Sequence, residues 1–449
     1  MLNNRRGRGV VVFGTMLTLA GCGAANNDGP STGLGGASGG SCPVSAATGT
    51  LSLRITGTPS GAGDVAIAGG PTVTASSDLT LPAGPASVTA YLVAQGAQMV
   101  RDAYTPAVDV ASPCVRSGQT TTVNVHYTRI ASSGALWVGA SNTPSGATLL
   151  SFVPALVDSS GVSSATVAAK TKGSDGFTFD PFGDVWVLGG TTADPPVARY
   201  PAASLATDGD KTPDIIVDSP SFGTGIPGPK VVAFDADGNL WVSVVAGNKV
   251  VKIAAAALTT PGTSAPTATV EAGGISGPAG LAFDLAGNLW VAANGAATIM
   301  RINAAHLTTS GTGADLTITA LTPSPIIGTL SSPLGIAFDA AGNLWVNYDG
   351  IVARLTPTDQ AGTGTKTITP AVQIALDVRA LPLGIAFDEF GGLWFADRVG
   401  RFSCLSASQL TTSGSKTPDI AIDSPELGYA GWIALYPAPA FSPLAHSLP

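Results

Sequence analysis

The chain has 449 residues, of which 45% are hydrophobic and only 11% charged, and its net charge is −8 with a pI near 4.8. An acidic balance with no cluster of Lys and Arg excludes a phosphate-backbone partner, so no nucleic acid is expected. With 57 Gly, 33 Pro, a mean hydropathy of +0.33 and no apolar run long enough to span a bilayer, the hydrophobic residues must be packed into sheet.

The chain begins with Arg5, Arg6 and Arg8, followed by an apolar run over residues 10–20 that ends in Leu19-Ala20-Gly21-Cys22. Basic flank and short apolar run read as a signal peptide over 1–22. Its last four residues resemble the bacterial lipobox. That resemblance implies cleavage before Cys22 and acylation of Cys22, which holds the mature protein to the membrane. An ordinary secretory signal with an incidental Cys is the alternative. Two or more acyl chains anchor stably, whereas one is marginal. Gly23 stands where Gram-negative lipoproteins retained in the inner membrane carry Asp, so the resemblance further implies the outer membrane if the source has one. Residues 23–41 are Gly, Ala, Ser and Asn with almost no large apolar residue, the composition of a flexible linker.

Residues 42–130 alternate in short runs, among them Thr50-Leu-Ser-Leu-Arg-Ile-Thr56, Ser87-Val-Thr-Ala-Tyr-Leu-Val93 and Thr120-Thr-Thr-Val-Asn-Val-His-Tyr127. Turn residues separate them, which predicts a small antiparallel sandwich. The order of strands and Leu-Pro-Ala-Gly turn resembles the Ig-like stalk domains of bacterial surface proteins. Cys42 and Cys114 bracket this segment. A disulfide between them would stabilise by about 4 kcal/mol in the chain-entropy model, and two reduced thiols are the alternative. Cys404 is left over and reads as a small buried hydrophobe.

From 131 to 449 the chain repeats itself. Lys230-Val-Val-Ala-Phe-Asp-Ala-Asp-Gly-Asn-Leu-Trp-Val242 returns in close copy at 280–291, 335–346 and 384–395. The marker tryptophans Trp137, Trp186, Trp241, Trp290, Trp345 and Trp394 lie alternately 49 and 55 residues apart, which predicts an all-β, six-bladed β-propeller. Each repeat gives an inner strand, an Asp-x-x-Gly-Asn hairpin, a Trp strand, a third strand with a basic residue, and a Thr/Gly/Pro-rich outer segment. Ala233, Ala282, Ala337 and Ala386 share one inner-strand register, where convergence on the axis would exclude bulk. Trp137 has no inner strand before it. The missing strand appears at the other end as Tyr429-Ala-Gly-Trp-Ile-Ala-Leu435, so the tail is expected to complete the first blade.

The phrase Pro-x-Gly-[IL]-Ala-Phe-Asp-x-x-Gly-Asn-Leu-Trp-Val resembles the NHL-repeat and virginiamycin B lyase-like propellers, with a more distant likeness to gluconolactonases. The resemblance implies a fold, not an activity. Enzymatic relatives place metal ligands and a catalytic His or acid at one mouth of the channel. His126, His306 and His446 do not fall there, so the lyase's His has no counterpart and no catalytic residue is assigned. Asp180, Asp235, Asp284, Asp339 and Asp388 recur as a ring of carboxylates, which hairpin capping explains. Asp235-Ala-Asp-Gly-Asn239 begins like a calcium loop but lacks the acidic ligands that follow one. No cofactor is identified, although a divalent cation would fit the enzymatic alternative.

Segments after the Trp strand vary most between repeats, as binding loops do. Asn294, Asn347, Asp349, Asp397 and Arg398 are the candidate ligand-binding residues; the last four come from adjacent blades and could converge on a small polar ligand or cation. Solvated loop tips are the plainer account. Two functions follow: an envelope-anchored binding or scaffold module for a protein or small polar ligand, or a metal-assisted lyase or lactone hydrolase.

Overall fold

The computed structural model describes residues 42–439 apart from 97–98, 142, 174–175, 190–195, 223–228, 264, 271–274, 309, 312, 322–331, 349 and 377–381. Cys22 and Asp349 therefore lie outside the described residues, as does His446. The six marker tryptophans each sit on the second strand of their own antiparallel four-stranded sheet, and none is more than 2% exposed. These sheets are the six blades of a β-propeller. The fourth blade shows the plan: Pro278–Phe283 innermost, then Leu289–Ala293, Thr298–Ile302 and Leu316–Leu321. Each blade buries its faces against its neighbours, so core clusters straddle the seams: Trp290 of the fourth blade packs with Ile336, Leu344 and Val346 of the fifth.

The first blade is completed from the far end of the chain. Strand Tyr429–Tyr436 pairs antiparallel with Ala135–Ser141, with Ile433 opposite Val138 and Leu435 opposite Leu136. Ring closure is thus carried by backbone hydrogen bonds, as the sequence implied.

The ring has a second fastening. The segment between the third and fourth strands of each blade adds a short parallel strand to the outer edge of the preceding blade. Gly209–Asp210 extends the first blade, Gly262–Thr263 the second, Gly364–Ile368 the fourth, Gly414–Lys416 the fifth and Gly161–Val162 the sixth, while Gly311 makes a single bridge to Val270 of the third. A side-chain oxygen just before the added strand often accepts from the neighbour's edge: Ser160 from Ala421, Asp208 from Ala168, Ser310 from Thr269 and Ser413 from Gln373.

Crowding at the axis falls on glycine rather than on the alanines. A Cβ on Gly280 would lie 2.1 Å from the Leu334 carbonyl oxygen, and one on Gly335 2.6 Å from that of Leu383. Gly176 likewise faces the Lys230 carbonyl at 2.3 Å, and Gly384 faces Trp432 at 2.7 Å. The inner strands can approach only because these positions lack a side chain. The alanines one pleat further along instead pack beside their own tryptophans, as Ala282 does near Trp290.

The Asp-x-x-Gly-Asn hairpins are closed by the carboxylate. In the third blade, Oδ1 of Asp235 accepts from the Asp237 and Asn239 backbone N–H groups, and Oδ2 accepts the Trp241 indole N–H at 2.8 Å. Asn239 Nδ2 donates to both carboxylate oxygens, and its Oδ1 accepts from Ala255 N. Asp284 and Asp339 repeat the arrangement. The basic residue on the third strand lies over the blade's tryptophan: Arg199, Lys252, Arg301 and Arg354 are 5.3–5.9 Å from the ring centroids. Carboxylate pairing holds for Arg199 and Lys252, whereas Arg301 donates to the Gln360 and Gly362 carbonyls of the next blade.

Residues 45–129 form a six-stranded and a three-stranded sheet that share one apolar cluster. The sandwich is not purely antiparallel as predicted. Strand Ser45–Thr56 pairs antiparallel with Ser77–Pro85 but parallel with Thr120–Arg129, because the chain returns to it from the same end. This sandwich and the ring belong to one compact unit. The sandwich meets the hairpin ends of the sixth and second blades. Glu389 N donates to the Met99 carbonyl, Arg101 pairs with Glu389 at 3.6 Å, and Ser132 Oγ, in the connection from sandwich to ring, donates to the Gly183 carbonyl. Val100 and Ile130 enter the ring's own apolar clusters. Cys42 and Cys114 are each disulfide-bonded, while Cys404 is a free, buried thiol whose pKa burial pushes up.

Candidate functional site

A propeller has two ends, and here they differ. The hairpin end carries the Asp turns and the sandwich. The loop end carries the turns after the Trp strands and the entries to the inner strands, where a small pocket lies between the first and sixth blades. Ser141 ends the Trp strand of the first blade, Tyr429 opposite it begins the closing strand, and Leu383 enters the sixth blade. Gly431 and Trp432 complete the lining with Gly139 and Ala140.

Trp432 occupies the inner-strand position that four other blades fill with Gly176, Gly280, Gly335 and Gly384. Relieved of side chains there, the axis has room for one indole. Half-buried, it packs against the cluster of the first and second blades and that of the third and fourth, so it reaches across the channel. Its buried Nε1 has no hydrogen-bond partner among the described residues. A buried donor left unpaired costs about 1–3 kcal/mol and calls for an explanation.

Of the sequence candidates, Arg398 comes nearest this pocket, through Tyr429, which lines it. Its guanidinium lies 4.9 Å from the Tyr429 ring centroid, its Nε is buried and unpartnered, and no carboxylate pairs with it among the described residues. The other half-buried arginine in that condition, Arg354, lies on a third strand over Trp345. Asn347 is not a loop residue: it is 0% exposed on the fifth blade's Trp strand and donates to the Pro382 carbonyl at 2.8 Å and the Leu383 carbonyl at 3.3 Å, leaving Oδ1 without a partner among the described residues. Period-two alternation in Leu344-Trp-Val-Asn-Tyr348 was the available signal for that burial. Asp397, 2% exposed, accepts from the Val399 and Arg401 N–H groups and caps its own turn. Asn294 sits on the fourth blade, half-buried, donating to the Pro333 carbonyl at 3.3 Å. The four described candidates do not converge; Arg398 stacks on the pocket residue Tyr429, and Asn347 touches the lining at Leu383 from behind.

Sequence reasoning missed Ser141, Tyr429 and Trp432 as site residues. For Trp432 the signal was there: a Trp at a Gly position of the repeat. His306 is exposed on the outer rim, bonded to Asp315 at 3.0 Å, and His126 pairs with Thr56. Among the described residues, no three His, Cys, Asp or Glu side chains are grouped to hold a metal, and no helix is long and apolar enough to cross a membrane.

No protein-family model matches the sequence, and no curated protein does. Solved structures similar to the chain include a streptogramin B lyase, at 16% identity over 61% of this chain and 71% of that one with a TM-score of 0.36. Virginiamycin B lyase from Staphylococcus aureus gives 18% identity over 53% of this chain and 68% of that one, with a TM-score of 0.35. The extracellular domain of a one-component system from B. thetaiotaomicron gives 16% identity over 62% of this chain but only 33% of that one, at a TM-score of 0.38.

Proposed function

We propose that this protein is a binding module held to the cell envelope through Cys22, with its ligand taken at the loop end of the propeller. The supporting observation is where polar groups stand without partners. At the hairpin end the carboxylates are consumed by their own turns and the sandwich covers the sixth and second blades. At the loop end a half-buried arginine that no carboxylate pairs among the described residues stacks on Tyr429, a residue that lines a pocket. Concave sites lined by apolar residues with a few polar groups are where small ligands bind.

The path of the chain favours presentation outward. Ser45–Thr56 runs parallel to Thr120–Arg129, which delivers the chain to the ring, so the entry at Ser45 lies at the sandwich end remote from the propeller, about 30 Å away at ordinary strand rise. A tether ending there would leave the loop end facing away from the membrane. Pairing of Cys42 with Cys114 would pin that entry point.

Two measurements test the reading. A thermal-shift screen of the protein lacking residues 1–22, against small polar metabolites and divalent cations, should find compounds that raise the melting temperature of the unaltered protein but not of R398A. No such compound, or shifts indifferent to R398A, would remove the loop-end site. In cells, the full chain should partition into the detergent phase of a Triton X-114 separation and C22A should not; equal partitioning of both would remove the lipid anchor.

A further inference from the structure

We infer that the group recognised at the loop-end pocket is a carboxylate, held by the guanidinium of Arg398. This rests on the binding-module reading and specifies its ligand. Three observations carry it. Arg398 makes no hydrogen bond and no ion pair among the described residues, although its Nε is buried. Five fixed N–H donors on a half-buried cation are a preorganised fork for a planar anion. Four other half-buried arginines are engaged: Arg199 with Asp184 and Asp214, Arg401 with Asp423, Arg101 with Glu389 and Arg301 with two carbonyls. Arg354, the other one without a carboxylate among the described residues, lies over Trp345, away from the pocket lining.

Stacking on Tyr429 holds the fork in place. A guanidinium 4.9 Å from a phenol centroid loses little further freedom when an anion arrives. Tyr429, which carries the guanidinium, also lines the pocket, whose other walls offer the Ser141 hydroxyl as a donor and Leu383 and Trp432 as apolar contact. The nearest acidic side chain in sequence, Asp397, has its Oδ1 turned to its own turn's N–H groups. The pocket is small, which favours a short monocarboxylate over a bulky one.

Indole N–H resonances test this directly. The probes are propionate, propionamide and propylammonium, titrated into 15N-labelled protein lacking residues 1–22, with the Trp432 indole peak assigned by its loss in W432F. Propionate should shift that peak saturably, and the amide and the amine should not. R398Q should weaken propionate at least about tenfold, the loss expected when a charge-assisted bidentate contact is removed. Y429L, which removes the platform and keeps the charge, should weaken it less. Equal response to propionamide, or unchanged affinity in R398Q, overturns the carboxylate while leaving a loop-end site intact. No response of the Trp432 peak to propionate overturns the carboxylate too, and together with an empty thermal-shift screen it takes the binding-module reading with it. Unchanged resonances of the other tryptophans in both variants establish that the ring has stayed folded.

Discussion

Gly280→Ala should lower the melting temperature by roughly 3–5 °C, the equivalent of about 3 kcal/mol in a compact unit this large. The added methyl would stand 2.1 Å from the Leu334 carbonyl oxygen, and that oxygen belongs to the backbone of the next blade's inner strand. A flexible side chain could turn aside; an inner strand hydrogen-bonded to its own Trp strand cannot move without dragging the blade. Overpacking of this kind usually costs about 1–3 kcal/mol, and a rigid obstacle puts the cost at the top of the range. Gly311→Ala is the control, because a Cβ there meets nothing within 4 Å. Differential scanning calorimetry of the two variants decides the matter. Equal melting temperatures would mean that the blades are not in contact at the glycine level.

Asp184→Asn should do the reverse and stabilise, with a pH dependence that identifies the cause. In the second blade the turn reads Asp180-Pro-Phe-Gly-Asp184, with Asp where the third, fourth and fifth blades have Asn. Asp180 still accepts from Phe182 N, Asp184 N and the Trp186 indole, but it loses the amide donor and gains a like charge. Burial first, and then the Asp184 carboxylate, push its pKa up to about 7. The folded state then binds a proton that the unfolded chain releases near pH 4. Stability therefore falls as pH rises from about 4 to about 7, and the penalty is complete above it. In the variant, the new amide can keep the bond to Ala202 N through its oxygen, as Asn239 does to Ala255, and can donate its NH2 group to Asp180. Arg199 keeps Asp214 at 2.6 Å. About 2 kcal/mol should be gained at pH 8, or roughly 2–3 °C in a unit this large, shrinking toward pH 4. A gain independent of pH would mean that the like charge is not what weakens this turn.

The blade count and the closing strand were legible in the sequence because both rest on strong signals: a buried tryptophan at fixed spacing and a displaced copy of the inner-strand phrase. The hairpin role of Asp235 and its equivalents followed from turn chemistry for the same reason. The parallel extensions between blades were not read. They are mostly two or three residues that open on Gly, too short for any periodicity. A trace of them exists in Leu258-Thr-Thr-Pro-Gly262, Leu307-Thr-Thr-Ser-Gly311 and Leu410-Thr-Thr-Ser-Gly414, where a buried Leu fixes the segment and the Gly begins the pairing. At the pocket, loop variability singled out Arg398 but also Asn347, whose strand burial it could not sense. It passed over Trp432, since a position conspicuous for being glycine elsewhere is visible only once the repeats are superposed at the axis.

Because each blade reaches backward with one segment and is reached from ahead by another, none is terminal, and the six form a circuit whose perimeter edges are already occupied. Another chain that lengthened a sheet at those edges would first have to displace the segment already paired there, the third blade's single bridge being the weakest. One repeat cannot be excised without stranding the segment of its successor and baring the rim of its predecessor. Growth or loss of repeats in such a ring would have to re-register both neighbours at once, which ties the number six to the stitching as firmly as to the core.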